Sequence, residues 1–287
     1  MHLSKRLSDG HYRQNSLLIK SDGQNEFEIS NYRGLIFTRL TIGSPQTVPN
    51  LKTNAGVDGQ VQTGPVLYTS RTAKADFLLR VDDGTDLESR FHEFYNKFFN
   101  RGLVRVRQSY DIGRCFYGIP KPFSYTDVGF YDKTFSVEFD IPSAYMYSVA
   151  RSTDFPIDPS KEDLISNNLN LSTTDLNYTH SQGTFKIFNP SDFDIQPYEQ
   201  NHELNITFKG SGSPSLTNTT TNNTFSMNSN ISSNDSLVLK GVHPLLNGDS
   251  CEIETNHGHI NLKKGWNNFN LTGFSGTVTF DFPFIYL

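Results

Sequence analysis

The chain has 287 residues, a net charge of -5, 13 % aromatic and 19 % charged residues. Its supply of core-forming side chains excludes global disorder. The absence of any apolar run near 18 residues excludes a helical membrane span, and the first 20 residues lack the apolar run of a signal peptide. The 23 Phe, 13 Tyr, 21 Gly and 13 Pro, with abundant Asn, Ser and Thr, suit a β-rich chain with many turns.

The length suffices for one large domain or two ordinary ones. Charge favours two. Residues 1–153 hold 19 Lys+Arg and 16 Asp+Glu, a balance of +3, and residues 154–287 hold 6 and 14, a balance of -8; no arginine follows Arg151. The two cysteines, Cys115 and Cys251, lie far apart without metal-type spacing and read as free thiols. Asn-x-Ser/Thr triplets, such as the one at Asn170, read as a by-product of composition.

In chain order, "EFEISNYRGLIFTRLTI" (26–42) holds short strand-type runs. Residues 43–70, with four Gly and three Pro, have little periodicity and predict a long functional loop. A strand is predicted over 74–81. A helix follows over 85–99: Thr85 and Glu88 stand at capping-box spacing, Leu87, Phe91, Phe94, Tyr95 and Phe98 form one apolar face, and Gly102 marks the stop. Strands are predicted over 103–107, 114–119 and 135–141. In the last of these Phe135, Val137, Phe139 and Ile141 alternate with polar residues, until Pro142 ends the ladder.

Residues 152–182 are polar and mixed, a connector or lid. From Gly183 the pattern is β only, with strands expected in 184–189, 203–208, 224–229, 236–241, 251–255, 259–262, 266–271 and 276–287, the spacing of a sandwich. The last segment places Val278, Phe280, Phe282, Phe284 and Tyr286 on one face, as befits a terminus tied into a sheet. Residues 217–236 predict exposed turns and strand edges. The expected division is residues 1–152, a connector at 153–182, and a second domain at 183–287.

Chemistry-bearing motifs are scarce. His92-Glu93-Phe94-Tyr95-Asn96 resembles the start of a zinc-protease helix, but Asn96 stands where the second histidine belongs. His257 and His259 sit two apart on an expected hairpin without an evident third ligand. "GSGSPS" (210–215) lacks the residues of a phosphate loop or nucleophile elbow and reads as a solvated turn. The acids of Asp82-Asp83-Gly84 suit a turn before a helix N-terminus. Arg105 and Arg107, alternating with Val104 and Val106, read as a solvated strand face rather than a nucleic-acid stripe. Trp266, the single tryptophan, is a candidate for stacking on a sugar, with a packing role preferred. No catalytic, cofactor or metal residue is assigned.

The helix "LESRFHEFYNKFF", the strands "LVRVRQSYDIGRCFYGI" and the string "FSVEFDIPSAYMYS" resemble the N-terminal, ring-forming domain of the distal tail proteins of long, non-contractile-tailed bacteriophages. "NGDSCEIETNHGHINLKKGWNNFNLTGFSGTVTFDFPFIYL" is similar to the close of that family's C-terminal domain. The resemblance implies a mainly β fold: a β-sandwich-like first domain with one α-helix, then a galectin-like or carbohydrate-binding-module-like β-sandwich. It also implies a structural virion protein without cofactor, assembled in the host cytoplasm. Six copies are expected in a ring at the tail tip, one face on the tail tube protein and the other on the tail-associated fibre or lysin protein. DNA only passes through its channel, and the second domains offer sites for receptor-binding proteins or host cell-wall glycan. Two other readings stand beside it: a carbohydrate-binding module using Trp266, and a hydrolase with an unrecognised site.

Overall fold

The structure, a computed structural model, describes residues 15–29, 31–32, 34–81, 85–99, 101–156, 176–181 and 183–287. The turn residues Asp82, Asp83 and Gly84, and 157–175 of the expected connector, lie outside them. The chain forms two compact units, Met1–Met146 with Leu287, and Tyr147–Tyr286. The division falls six residues before the one expected at 152.

The first unit is an antiparallel sheet. Its strands run Phe27–Ile29, Leu17–Lys20, Val104–Gln108, Arg114–Pro120, Lys133–Ile141, Arg71–Leu79, Leu35–Ile42 and Asn31–Tyr32 in spatial order, with Tyr125–Asp127 added alongside Lys133–Ile141. Alternation built the central pair. Ala73, Ala75, Phe77 and Leu79 are buried on one strand and Phe135, Val137, Phe139 and Ile141 on the other, in continuous register from Lys133↔Leu79 to Ile141↔Arg71. The stretch 135–141 is thus interior to the sheet, and it is the last strand of this unit to be made in sequence.

The helix Thr85–Phe98 packs its Phe91, Phe94 and Phe98 on that face. Phe77 is the hub, with ring centroids 5.3 Å from Phe135, 5.6 Å from Phe94 and 5.9 Å from Phe98. Tyr95, expected on the apolar face, lies at its edge and is partly exposed, stacked against Phe91 at 6.1 Å. Asp86 and Glu88 in the first turn and Lys97 in the last complement the helix dipole. Leu17–Lys20 and Tyr125–Asp127 are strands that the sequence pattern did not announce.

The second unit is built on two long strands, Asn205–Asn218 and Gly265–Asp281, paired along most of their length. One half of this ladder carries Thr179–Ser181 and Ser236–Lys240, and the other carries Gly183–Asn189 and Asn223–Ser226. Phe269 and Phe280 lie on one strand eleven positions apart, a separation of about 36 Å if it ran straight. Their rings are 4.9 Å apart. The strand therefore folds back and the two halves pack face to face as a sandwich. Phe208 and Phe225, one from each half, meet likewise at 5.9 Å.

The fold-back is made by small residues. Gly210 and Gly276 oppose each other at φ 155° and 156°, and a Cβ on either would lie 2.6 Å from the other's Cα. "GSGSPS" is therefore not a solvated turn. It is the bend and bulge inside a strand, between Gly212 and Ser215. Three further expectations change. Residues 251–255 form a 3₁₀ turn at Glu252–Glu254. The run 259–262 forms a single bridge, Ile195↔Leu262. The runs 266–271 and 276–281 are one strand. Within 217–236, Asn218, Phe225, Met227 and Ile231 are buried, so that stretch serves the core as well as the surface.

Residues before 183 also belong to this unit. Thr179–Ser181 pairs with Gly265–Asp281, and Tyr178 is buried against Phe282 at 5.7 Å. Met146–Arg151 pairs with Pro283–Tyr286, the final strand, in which Phe284, Ile285 and Tyr286 are all buried. Burial there is two-sided rather than confined to the one face that alternation predicted.

Candidate functional site

Residues 43–70 are not an irregular loop. Thr47–Val48 pairs with Leu67–Tyr68 and Leu51–Lys52 with Val61–Gln62, so the segment is a two-stranded arm. Further backbone bonds close it: Gln46 N to Ser70 O at 2.7 Å, Thr69 N to Gln46 O at 3.0 Å, and Thr63 N to Asn50 O at 2.8 Å. Gly56 and Gly59, at φ 82° and 87°, turn its tip. At the root the buried Arg71 donates Nε–H to Gly43 O at 3.0 Å. Burial lowers the affinity of this guanidinium for its proton.

No residue of the arm is buried. Val48, Leu51, Val57, Val61, Val66 and Leu67 all stand exposed on it, and its only charges are Lys52 and Asp58. An exposed hairpin carrying this much apolar surface and so little charge is built to be covered. Sequence reasoning found the segment but not its strands, because two-residue ladders leave too short a pattern to count. A second exposed apolar point lies at the turn after Tyr125–Asp127, where Phe130 is 90 % exposed and Val128 64 %.

Arg105 and Arg107 are not a solvated face. Both bind Glu26: Arg105 Nη2–H donates to Oε1 at 2.7 Å, Arg107 Nε–H to the same oxygen at 2.8 Å, and Arg107 Nη2–H to Oε2. Burial alone would raise the Glu26 carboxyl, but the bonds and charges of Arg107 and Arg105 outweigh it and hold it below its ordinary value. Other cations of this unit are paired too: Arg39 with Asp76, Arg80 with Asp132, Arg90 with Asp86, Arg114 with Asp111, Lys121 with Asp140 and Lys133 with Asp127. Many basic residues of this unit are thus paired with neighbouring carboxylates, although the net balance of its sequence stays positive.

His92 is exposed on the helix. His257 and His259 do not share a strand face: His257 is in a left-handed turn at φ 54°, and His259 stacks on Tyr198 at 5.4 Å. Among the described residues no three of His, Cys, Asp and Glu gather as a metal site. Trp266 is 53 % exposed and packs over Phe188, ring centroids 5.0 Å apart. Cys115 and Cys251 are both free and buried.

Residues 19–141 match the family of the phage tail protein RIFT-related domain, which takes in the arm, the helix and the central strands of the first unit. The match lies within the first domain and spans less than half of the chain, so it is this domain that is similar to a phage tail domain of the virion. Most of the chain is similar in structure to the SPP1 Dit (gp 19.1) protein, described as a paradigm of the hub adsorption apparatus in phages infecting Gram-positive bacteria. Identity is 15 %, coverage 93 % of this chain and 99 % of that one, and the TM-score 0.66. The fold is therefore that of a distal tail protein, and the resemblance read from sequence is borne out. Weaker likenesses are to chains of the phage P2 baseplate in its activated conformation, with Ca (11 % identity, 94 % and 97 % coverage, TM-score 0.48) and with Sr (12 %, 94 % and 97 %, 0.47). No curated protein matches the chain in sequence.

Proposed function

We propose that the chain is the hub of a phage tail tip. Six copies close into a ring through the first domain, joining the tail tube protein to the tail-associated fibre or lysin protein. The observation that carries this reading is the arm at 43–70, apolar, nearly uncharged and unburied in the single chain. Laid on the next copy, it forms a head-to-tail contact, and repetition of such a contact around a closed rotation gives a ring. The SPP1 protein that shares the fold is described as a hub. The pairing of the first domain's arginines with carboxylates suits a ring whose channel lets DNA pass without holding it. The second domain, read as a galectin-like module, faces receptor-binding proteins or the host wall. The role needs no catalysis.

Mass photometry and negative-stain images of the full chain test this. Particles near six chains, or two stacked rings, are expected. A variant with residues 46–68 replaced by a short turn should keep its fold and lose the ring, because the arm supplies no core. A protein that stays monomeric at every concentration and is missing from a ring in assembled tails overturns the reading.

A further inference from the structure

The second domain carries a polar cleft of about 330 Å³ that the sequence did not reveal. Its origin is the bridge Ile195↔Leu262, in which Ile195 N donates to Leu262 O at 2.7 Å and Leu262 N to Ile195 O at 2.9 Å. Antiparallel register around this pair sets Asp194 opposite Lys263 and Gln196 opposite Asn261. Side chains alternate on extended chain. Ile195, Pro197, Ile260 and Leu262 are buried, so Asp194, Gln196, Asn261 and Lys263 face outward together, and all four line the cleft. One step further along the same face, Tyr198 and His259 stack at 5.4 Å and 24°, with Tyr198 71 % exposed. The turn Thr220–Asn223 closes the other wall, with Asn222 left-handed at φ 58°.

The walls are held from behind. Asn218 and Asn267, both fully buried, have their amides spent on this backbone. Asn218 Nδ2 donates to Asn261 O at 2.7 Å, Lys263 N donates to Asn267 Oδ1 at 2.8 Å, and Asn267 Nδ2 returns a bond to Lys263 O at 2.7 Å. Asp194 Oδ1 accepts from Lys264 N at 2.8 Å, and Thr220 Oγ1 from Asn268 N at 2.9 Å. Buried polar bonds of this kind fix a site in advance of its ligand. Two amide oxygens at the cleft, Asn223 Oδ1 and Asn261 Oδ1, are buried and have no hydrogen-bond partner among the described residues.

We infer that this cleft binds a saccharide ring, with its hydroxyls on the amides of Gln196 and Asn261 and its apolar face on Tyr198. The size falls in the range of small-molecule sites, about 300–1,000 Å³. An amide offers both donors and acceptors, as does each hydroxyl of a vicinal pair, so an amide-rich wall matches a polyol. The lining argues against other ligands. One lysine facing one aspartate does not attract an anion, a lone carboxylate does not hold a metal, and the outward face has no aliphatic surface for a lipid. Tyr198 stands beside the cleft rather than in its lining, one step along the outward face from Gln196, whereas Trp266, the sugar candidate from sequence, is on neither that face nor the lining. The inference rests on the reading that the second domain faces the host wall, but not on ring formation.

The test is saturation-transfer NMR on the full chain with a panel of free saccharides: glucose, galactose, rhamnose, N-acetylglucosamine and lactose. The affinity of any binder is then measured by calorimetry. At least one saccharide is expected to bind. Tyr198→Ala, an exposed position whose loss spares the core, and Asn261→Ala should each weaken binding at least about tenfold, the loss of one stacking or hydrogen-bond contact, while Trp266→Ala leaves it unchanged. No transfer to any saccharide in the panel, or binding that survives both cleft variants, overturns the inference. The same preparations are weighed by mass photometry, so that a ring without sugar binding sinks this inference alone.

Discussion

Arg151 grips Asp281 with both arms of its guanidinium, Nε–H to Oδ1 at 2.7 Å and Nη2–H to Oδ2 at 3.1 Å, while Glu203 accepts from Nη2 at 2.7 Å. The last arginine of the sequence is thus an anchor of the second domain rather than the end of the first. Burial disfavours its charge, but the bonds to Asp281 and Glu203 outweigh that and hold the proton more firmly than usual. A raised arginine pKa keeps this contribution in place throughout the neutral range, where guanidinium and carboxylates are all charged, so it does not vary across the physiological range. Arg151→Ala should cost the second domain about 1–3 kcal/mol, the scale of charged hydrogen bonds at a half-exposed site. Arg151→Lys, which cannot make the two-pronged contact, should recover only part of it. Denaturant melts followed by the fluorescence of Trp266 read this domain alone. Equal stability of all three proteins would remove the anchor.

The two domains should fail in a fixed order on acidification. Burial holds His202 and His180 of the second domain below their ordinary value, against the opposing backbone bonds from Asp194 and Asn177. Their folded forms bind a proton later than the unfolded chain. Stability is therefore complete above about pH 6.5 and declines below it. Glu26 of the first domain is depressed instead. Its contribution is present above the unfolded value near 4.5 and is lost as pH falls through the lower folded one. Trp266 fluorescence is expected to soften first, with the helical circular dichroism of Thr85–Phe98 persisting to lower pH. The reverse order would contradict both assignments.

Periodicity made some of this legible and left the rest hidden. Thr85–Phe98 and Lys133–Ile141 bury one face each over many residues, so a count of apolar positions finds them. The pairing of Arg105 and Arg107 with Glu26 joins residues about 80 apart, which no local pattern records. "GSGSPS" misled because a bend made of glycines reads like a turn; that it lies in a strand is fixed by its partner Gly273–Gly276, some 60 residues on. The cleft was invisible for the same reason. Gln196 and Asn261 are ordinary polar residues until the Ile195↔Leu262 bridge puts them side by side.

Neither thiol should react in the folded protein. Burial pushes the Cys115 thiol up to about 12, despite the opposing charges of Arg105 and Arg107, and Cys251 is raised as well, first by burial and then by Glu254. A disulfide-exchange reagent at neutral pH is expected to label neither before denaturant is added, and both afterwards. Prompt labelling of Cys115 would place it on a surface that the fold denies it.

The sequence suggested that residues 183–287 form the second domain, but that unit also draws on the residues before them. Ser152 Oγ–H donates to Phe280 O at 2.8 Å and its oxygen accepts from Phe282 N at 2.9 Å; Ser148 Oγ accepts from Phe284 N at 2.8 Å. Tyr178, buried beside Phe282, donates its hydroxyl to Phe188 O at 2.8 Å. A fragment beginning at 183 would leave the backbone N–H groups of Phe282 and Phe284 without these partners, at about 1–3 kcal/mol each, and would open the cavity left by Tyr178. Fragment 147–287 should therefore fold cooperatively as a monomer, and fragment 183–287 should be poorly soluble or molten. Fragment 1–146, which keeps the arm and the phenylalanine core around Phe77, should still form rings. Heteronuclear NMR spectra of fragments 147–287 and 183–287, set beside that of the whole chain, decide it. If 183–287 gives a dispersed spectrum as stable as that of 147–287, the segment 147–182 is a linker after all.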